Sequence, residues 1–273
     1  MQNFFDFTDK VVLVTGASSG IGRATAEFFG KCGAKVAVSY LSNKDGADAA
    51  VAAIEKAGLS LGAAAGSSGQ TETVSGSRGL AVQADVTKNS DIERMIKEIE
   101  EKLGAVDILV NNAGSLVERL RTAELTEDRW DEVFALNVKS AFFAAKAVIP
   151  KMLEKGAGVI VNVTSIAGRN GGALGSIHYS AAKGAMLTMT KGLAKEFASQ
   201  GIHINAVSPG VIDTPFHETF STPEAMANFA NIIPKGRVGT SEEVARVVAF
   251  LASDASAYLC GETIEINGGM LMD

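Results

Sequence analysis

The stretch TGASSGIG, from Thr15 to Gly22, follows the apolar run KVVLV and precedes a segment with helical periodicity. Two incompatible interpretations fit this stretch. Its glycines could form a turn that lets the phosphates of a nucleotide approach the backbone, or GASSG could be the elbow that presents a serine nucleophile, since it fits GxSxG. The rest of the sequence decides between them.

Composition excludes several classes of protein. The chain has 273 residues, a formal net charge of −6 and no cluster of Lys and Arg, so we expect neither a nucleic-acid partner nor an anionic membrane surface. Cys32 and Cys260 are too few and too far apart for a disulfide framework or a metal site, and a reducing cytoplasm fits them best. The N-terminus lacks the pattern of a signal peptide, and no apolar run approaches the ~20 residues that span a bilayer. We therefore expect a soluble, cytoplasmic protein.

Short β-rich apolar runs alternate with longer segments of helical period along most of the chain. For example, KVAVSY precedes a helical segment at 44–57, and VDILV precedes a long helix near 126–154. Strands that alternate with helices imply right-handed crossovers and a parallel sheet covered on both faces. The sequence therefore predicts a single doubly wound (Rossmann-type) α/β domain over residues 1–273.

Two segments depart from this alternation. Residues 59–79, rich in Gly, Ser and Ala, show neither period and are predicted to form a flexible surface insertion. Residues 216–237, between the sixth strand and the last helix, are predicted to form a flexible lid over the substrate. Thr222 with Pro223 predicts the start of one helix, and Ser241 with two glutamates after it predicts the start of another.

Small, polar or turn-forming residues follow five predicted strands, where the ligand of an open parallel sheet lies. They are Gly16, Asp85, the NNAG run from Asn111 to Gly114, Thr164 with Ser165, and the SPG run from Ser208 to Gly210. The elbow interpretation fails because a hydrolase needs an oxyanion donor from an earlier strand, and the strand before Ser18 is the first. Gly16, Gly20 and Gly22 instead let the backbone approach a pyrophosphate at the N-terminus of the next helix. We therefore favour the nucleotide interpretation.

The spacing GxxxGxG, followed in order by NNAG, a serine, YxxxK and PG, resembles that of the short-chain dehydrogenases/reductases. The resemblance extends from about Lys10 to Gly269, apart from the insertion. It implies hydride transfer between a nicotinamide cofactor and a carbonyl or secondary alcohol of a small molecule. Among substrates it suggests 3-oxoacyl thioesters first and sugars of the glucose dehydrogenase type second, and it implies a homotetramer formed through two long helices.

YSAAK places Tyr179 and Lys183 on one face of a helix. An isolated pair of this kind is more often a surface tyrosine beside a solvated lysine, but the apolar stripe of this helix places both near Ser165. A nearby ammonium favours phenolate and would bring the pKa of a tyrosine from ~10 toward the working pH. By resemblance, Tyr179 exchanges a proton with the substrate oxygen, Ser165 hydrogen-bonds that oxygen, and Lys183 also holds the nicotinamide ribose.

Asn137 lies on an apolar helix stripe with Trp130, Val133 and Phe142, where an unpaired amide would cost ~1–3 kcal/mol. One interpretation is a structural hydrogen bond to the neighbouring backbone. The resemblance implies another role, in which Asn137 holds a water that relays protons to Lys183.

An NAD site of this architecture typically has Asp or Glu ~20 residues after the glycine turn. The run from Tyr40 to Asn43 has no carboxylate, so we predict NADP, with NAD as the alternative. The residues proposed for the 2′-phosphate are Ser42, Asn43, Lys44 and Arg23. By resemblance, the other cofactor-binding residues are Asp85 and Val86 at the adenine, Asn111 and Gly114 at the adenosine ribose, and Ile212 and Thr214 at the carboxamide, together with Ser18, Ser19, Ile21, Ala113, Pro209 and Gly210. Asp85 could instead only cap the segment after it.

Two other classes of protein stay open. A serine hydrolase acting through Ser18 requires that Ser18→Ala abolishes esterase activity and that no nicotinamide nucleotide binds. A non-catalytic nucleotide sensor would bind NADPH without turning over a carbonyl, which fits the intact Asn, Ser, Tyr, Lys set poorly. The three histidines are predicted to have surface or packing roles, with His203 inside a strand and His217 in a loop; the third is His178.

Overall fold

Neighbouring strands pair in parallel throughout one sheet in the computed structural model, which describes residues 5–65 and 77–272. The strands are β1 (Val11–Val14), β2 (Lys35–Tyr40), β3 (Gly79–Gln83), β4 (Ile108–Asn111), β5 (Gly158–Val163), β6 (Ile202–Pro209) and β7 (Thr263–Ile266). Their order across the sheet is β3-β2-β1-β4-β5-β6-β7, so the winding direction reverses between β1 and β4. The predicted doubly wound fold is confirmed, and this reversal is where such a sheet binds its ligand.

The helices cover both faces of the sheet. They are α1 (Gly20–Lys31), α2 (Lys44–Ala65), α3 (Asn89–Lys102), α4 (Glu127–Phe134), α5 (Ser140–Lys155), α6 (Ala167–Asn170), α7 (Ile177–Phe197), α8 (Pro215–Phe220), α9 (Pro223–Ile232) and α10 (Ser241–Leu251). The predicted starts of α9 and α10 are confirmed, with the side chains of Thr222 and Thr240 as their caps.

Alternate residues of β1 face two different cores. Val12 and Val14 pack on the side of α1, α2 and α10, whereas Val11 and Leu13 pack on the side of α3, α5 and α7. All four side chains are buried. A strand that is buried on both faces reads as a continuous apolar run, which is how β1 stands out in the sequence.

The segment 59–79 differs from the predicted insertion at both ends. Helix α2 continues to Ala65 rather than ending near residue 57, and β3 already begins at Gly79. Alanine and leucine, both good helix formers, make up most of this part of α2, which includes glycine at a cost of ~1 kcal/mol each relative to alanine. Residues 66–76 lie outside the described part of the chain, so their predicted flexibility stays a prediction.

Helices α4 and α5 form one long helix with a π turn, Ala135–Lys139, between them. The π turn adds a residue and rotates the two helical faces relative to each other. Trp130 and Phe142, which were predicted to be buried, are 36% and 41% exposed. By length and composition Glu127–Lys155 is apolar enough to cross a membrane, but it packs against α3 and β5, so we interpret it as a core helix.

Glu55 of α2 fixes the start of β3. Its Oε1 accepts hydrogen bonds from Ser77 Oγ at 2.6 Å, Arg78 N at 2.7 Å and Gly79 N at 2.8 Å. Burial alone would raise the pKa of Glu55, but these hydrogen bonds and the Arg78 charge outweigh it and lower the pKa below its ordinary value of 4.5.

We expect Glu55→Ala to lower the free energy of unfolding by about 1–2 kcal/mol, because two backbone amides lose their acceptor. Urea unfolding at neutral pH measures this change. Because the pKa of Glu55 is lowered in the folded protein, the carboxylate stabilises the fold above its ordinary pKa and this stabilisation is lost as the pH falls through the lowered pKa. The matched control is Glu101→Ala, which removes a carboxylate that is 64% exposed. Equal unfolding free energies for the two variants would contradict the anchoring role.

Candidate active site

A cleft of about 730 Å³ opens at the carboxyl ends of the strands. This volume lies in the range of small-molecule sites, ~300–1,000 Å³. Most of the sequence-predicted site residues line it: Gly16, Ser18, Ser19, Gly20, Ile21, Gly22, Ser42, Asn43, Asp85, Val86, Ala113, Gly114, Ser165, Tyr179, Lys183, Pro209, Gly210, Ile212 and Thr214. Arg23, Lys44, Asn111 and Asn137 are not among the lining residues.

The glycine turn after β1 needs its glycines for two reasons. Gly16 and Gly20 have φ values of +63° and +53°, which residues with a Cβ rarely adopt. A Cβ on Gly22 would lie 2.4 Å from Asn112 Nδ2 and 2.6 Å from Gly16 O. Asn112 in turn donates to Thr15 O at 2.9 Å and Gly16 O at 3.1 Å, so it braces the turn from the end of β4.

The N-terminus of α1 suits an anion. Among the described residues, no side chain caps this helix start, and its first turn carries no acidic residue. The unpaired N–H groups of a helix start, with the helix dipole, attract phosphate. Ser19, Gly20 and Ile21 line the cleft here. Together with the close backbone approach that the glycines allow, this end of the cleft fits a pyrophosphate.

Ser165, Tyr179 and Lys183 come together where β5 ends and α7 begins. The Ser165 hydroxyl is close enough to Tyr179 to lower the pKa of the phenol, and its Oγ accepts from Ala167 N at 3.1 Å. Lys183 Nζ lies 5.6 Å from the centroid of the Tyr179 ring and donates to Val163 O at 2.9 Å.

The electrostatics of this cluster differ from the sequence-based expectation. Although part of Tyr179 is open to the cleft, burial raises its pKa to about 12, and the hydrogen bond to Ser165 only partly opposes this rise. Burial also lowers the pKa of Lys183 to about 7. Desolvation disfavours the charged form of both groups, so the lysine, rather than the tyrosine, changes charge near neutral pH.

Asn137 lies in the π turn and is fully buried. Its Nδ2 donates to Val133 O and to Ser115 O, each at 2.8 Å, which fits the structural interpretation. Its Oδ1 has no partner among the described residues. A Cβ on Gly114 would lie 2.5 Å from this Oδ1 and 3.0 Å from Lys183 Nζ. The free acceptor and the lysine therefore both flank Gly114, which leaves the relay interpretation open.

Asn111 is placed differently from the prediction. Its side chain is 3% exposed and donates to Asn162 Oδ1 at 2.9 Å and to Ala141 O at 3.2 Å. As the last residue of β4, it faces α5, and the next residue, Asn112, lines the cleft instead. The Asn111 side chain therefore links β4, β5 and α5 and does not line the cleft. Sequence reasoning missed the bracing role of Asn112, although the NNAG run contained it.

The charged residues predicted near the cofactor all have protein partners. Arg23 pairs with Glu27 at 2.7 Å, and Lys44 pairs with Asp48. The carboxylate of Asp85 accepts from Thr87 N at 3.1 Å and Thr87 Oγ1 at 2.6 Å, so it caps the segment after it, as one interpretation held, while also lining the cleft.

The histidines occupy three different environments. His203 is exposed in β6, as predicted for a strand residue. His217 lies in α8 rather than in a loop, and it lines the cleft with Phe216 and Phe229. Thr214, itself a predicted carboxamide contact, caps this short helix, and Pro215 begins it. A six-residue helix is too short for its periodicity to be recognised in the sequence. His178 is fully buried beside Tyr179.

The reversal of the sheet, the glycine turn and the Ser165, Tyr179, Lys183 cluster define a nucleotide-binding α/β oxidoreductase. The family model described as Enoyl-(Acyl carrier protein) reductase matches residues 59–271. The chain is 39% identical to the 3-oxoacyl-[acyl-carrier-protein] reductase FabG of Staphylococcus epidermidis, with 97% of this chain and 100% of that protein covered. It is 37% identical to the protein of the same name from Escherichia coli K12, with 98% and 99% covered. The crystal structure of levodione reductase matches with a TM-score of 0.85 and 32% identity, covering 96% of this chain and 98% of that chain. The chain belongs to the short-chain dehydrogenase/reductase family.

Gly114→Ala tests the geometry of the site. The new Cβ must displace Asn137 Oδ1 or Lys183 Nζ, so we expect the rate of carbonyl-dependent oxidation of reduced nicotinamide nucleotide to fall at least about tenfold. Gly192→Ala, where a Cβ meets nothing within 4 Å, is the control and should keep the wild-type rate. A Gly114→Ala variant as fast as this control would show that the spacing of these two groups is unimportant.

Proposed function

We propose that the protein reduces 3-oxoacyl thioesters with NADPH. The observation that carries this proposal is that Ser165, Tyr179 and Lys183 line the same cleft as the glycine turn that fits a pyrophosphate, with Lys183 Nζ 5.6 Å from the centroid of the Tyr179 ring. Relatives named 3-oxoacyl-[acyl-carrier-protein] reductase, which match nearly the whole chain, support it. A sugar dehydrogenase ranks second. The Phe216 ring lies 5.8 Å from that of Tyr179, and such an apolar wall suits an acyl chain better than a polyol.

Proton transfer in this proposal follows from the two shifted pKa values. A nicotinamide, when bound, supplies a hydride for the carbonyl carbon. Tyr179, with a pKa raised to about 12, is protonated at neutral pH and can donate its proton to the substrate oxygen. Ser165 hydrogen-bonds the same oxygen. Lys183, with a pKa lowered to about 7, can return a proton toward Tyr179, and Asn137 Oδ1 offers an acceptor for a water beside it.

The preference for NADP is argued from the residues at the carboxyl end of β2. Ser42 and Asn43 line the cleft there, and no carboxylate stands in the run from Tyr40 to Asn43. Arg23 and Lys44 would provide positive charge for a 2′-phosphate. The Lys44–Asp48 pair is exposed and costs little to break, ~0–1 kcal/mol, whereas the Arg23–Glu27 pair is partly buried.

The remaining parts of the proposal concern the lid, assembly and location. Helices α8 and α9 would form the predicted lid at 216–237, since Phe216 and Phe229 line the cleft. A homotetramer is supported by the exposed aromatic side chains Trp130 and Phe142 on the long helix. A cytoplasmic location agrees with the two free cysteines.

The proposed function is tested by following NADPH absorbance with a 3-oxoacyl thioester, a simple ketone and glucose. We expect the thioester to be preferred.

Tyr179→Phe should lower kcat at least about a hundredfold while leaving the Kd for NADPH unchanged, because only the proton donor is removed. Wild-type rates for this variant would contradict the mechanism. NADPH binding without turnover of any carbonyl would favour the sensor, and esterase activity lost in Ser18→Ala would favour the hydrolase.

Leu41→Asp tests the cofactor preference. Leu41 is 60% exposed at the end of β2, so the substitution should leave the fold intact. A carboxylate there repels a 2′-phosphate and accepts from a 2′-hydroxyl, so we expect the ratio of NADPH to NADH affinity to fall at least about tenfold. Fluorescence titration with both nucleotides measures the ratio, and Leu41→Asn is the uncharged control. An unchanged ratio would contradict the assignment of this corner to the 2′-phosphate.

A further inference from the structure

His178 holds two backbone carbonyls of a distant loop. Its Nε2 lies 3.2 Å from Leu116 O and 3.1 Å from Glu118 O, and the ring is fully buried. Both partners are acceptors, so Nε2 carries a hydrogen and donates it to this pair. Its Nδ1 has no partner in the described part of the chain. The hydrogen bonds of the ring are therefore directed entirely to the loop.

The residue between these two carbonyls has an unfavourable backbone conformation. Val117 has a φ of +64°, and Glu118 N donates to Leu116 O at 2.8 Å across it, which closes a three-residue turn. A β-branched residue is rarely found at positive φ. Such a conformation persists only where the surrounding structure imposes it. His178 is well placed to impose it, because it holds the carbonyls on both sides of Val117.

The strained turn forms part of the wall of the cleft. Leu116 and Arg119, on either side of it, both line the cleft. Asn137 Nδ2 donates to Ser115 O at the start of the turn, and Arg119 Nε donates to Phe220 O at the end of α8 at 2.9 Å. The turn thus connects the proposed catalytic residues to the proposed lid.

We propose that His178 is a positioning residue that holds the turn at Val117 and thereby shapes the substrate part of the cleft. This inference rests on the proposed reductase function. His178 does not line the cleft, so it acts through Leu116 and Arg119. The dinucleotide phosphates are assigned to a different turn, the one after β1. Loss of His178 should therefore weaken the productive binding of the carbonyl substrate and leave the binding of NADPH unchanged.

Two variants of His178 separate its hydrogen bond from its volume. His178→Leu removes the donor, and we expect it to raise the KM for the 3-oxoacyl thioester at least about tenfold, with the Kd for NADPH changed less than about twofold. His178→Gln keeps an N–H donor at similar reach and should stay within about threefold of the wild-type KM. If both variants lower thermal stability and leave KM unchanged, the role of His178 is only structural and the proposal is wrong.

A double-mutant cycle with Val117→Gly links the histidine to the strained residue. Glycine adopts a positive φ freely, so the turn needs less support in this background. We expect His178→Leu to raise KM less than about threefold there, compared with Val117→Gly alone. If His178→Leu alone does not fold, the effect of this substitution on KM is measured in the Val117→Gly background instead. An equal effect of His178→Leu in both backgrounds would overturn the proposal.

A structural measurement distinguishes failure of this inference from failure of the proposed function. If the wild-type protein reduces no carbonyl compound, the proposed function is wrong, but a crystal structure of His178→Leu still tests the positioning role. We expect Val117 to leave the positive-φ region in that variant. A Val117 that keeps its φ of about +64° without the histidine would overturn the inference.

Discussion

Burial of the Lys183 side chain is the constraint on which the proposed chemistry depends. The residue is 3% exposed, its Nζ donates to Val163 O, and desolvation lowers its pKa to about 7. A buried ammonium is expensive unless it is well paired, so the lysine changes charge near neutral pH. Tyr179 beside it is held in the protonated form by the same desolvation. The site therefore combines a tyrosine that can donate a proton with a lysine that can replace it.

The fold brings these groups together from three parts of the chain. The end of β5 supplies Ser165, the first turns of α7 supply Tyr179 and Lys183, and the π turn between α4 and α5 brings Asn137 to the same place. Gly114, after β4, leaves the space between Asn137 and Lys183 free of a side chain. His178, next to Tyr179 in α7, ties this helix to the loop after β4. A parallel sheet makes this convergence possible because its strand ends meet at one edge.

The fold and most of the site could be predicted because local patterns carry them. The alternation of strands and helices implies the doubly wound sheet, and the order of the short motifs places Ser165, Tyr179 and Lys183 at its edge. Features that depend on tertiary detail could not be predicted. The direction of the Asn111 side chain depends on where β4 ends, and the periodicity does not show the π turn that holds Asn137.

The pKa of Tyr179 was expected to fall and instead rises, because desolvation is visible only once the packing is known. The contacts of His178 likewise span 60 and 62 residues of sequence, too far for any local pattern.

The most direct test of this account is an NMR titration of the lysine side chains in the nucleotide-free protein, with Lys183→Met to assign the signal. The account predicts that the Lys183 signal titrates with a pKa of about 7. A pKa near the ordinary lysine value of 10.5 would contradict the central claim, since the lysine would then stay charged throughout the working range.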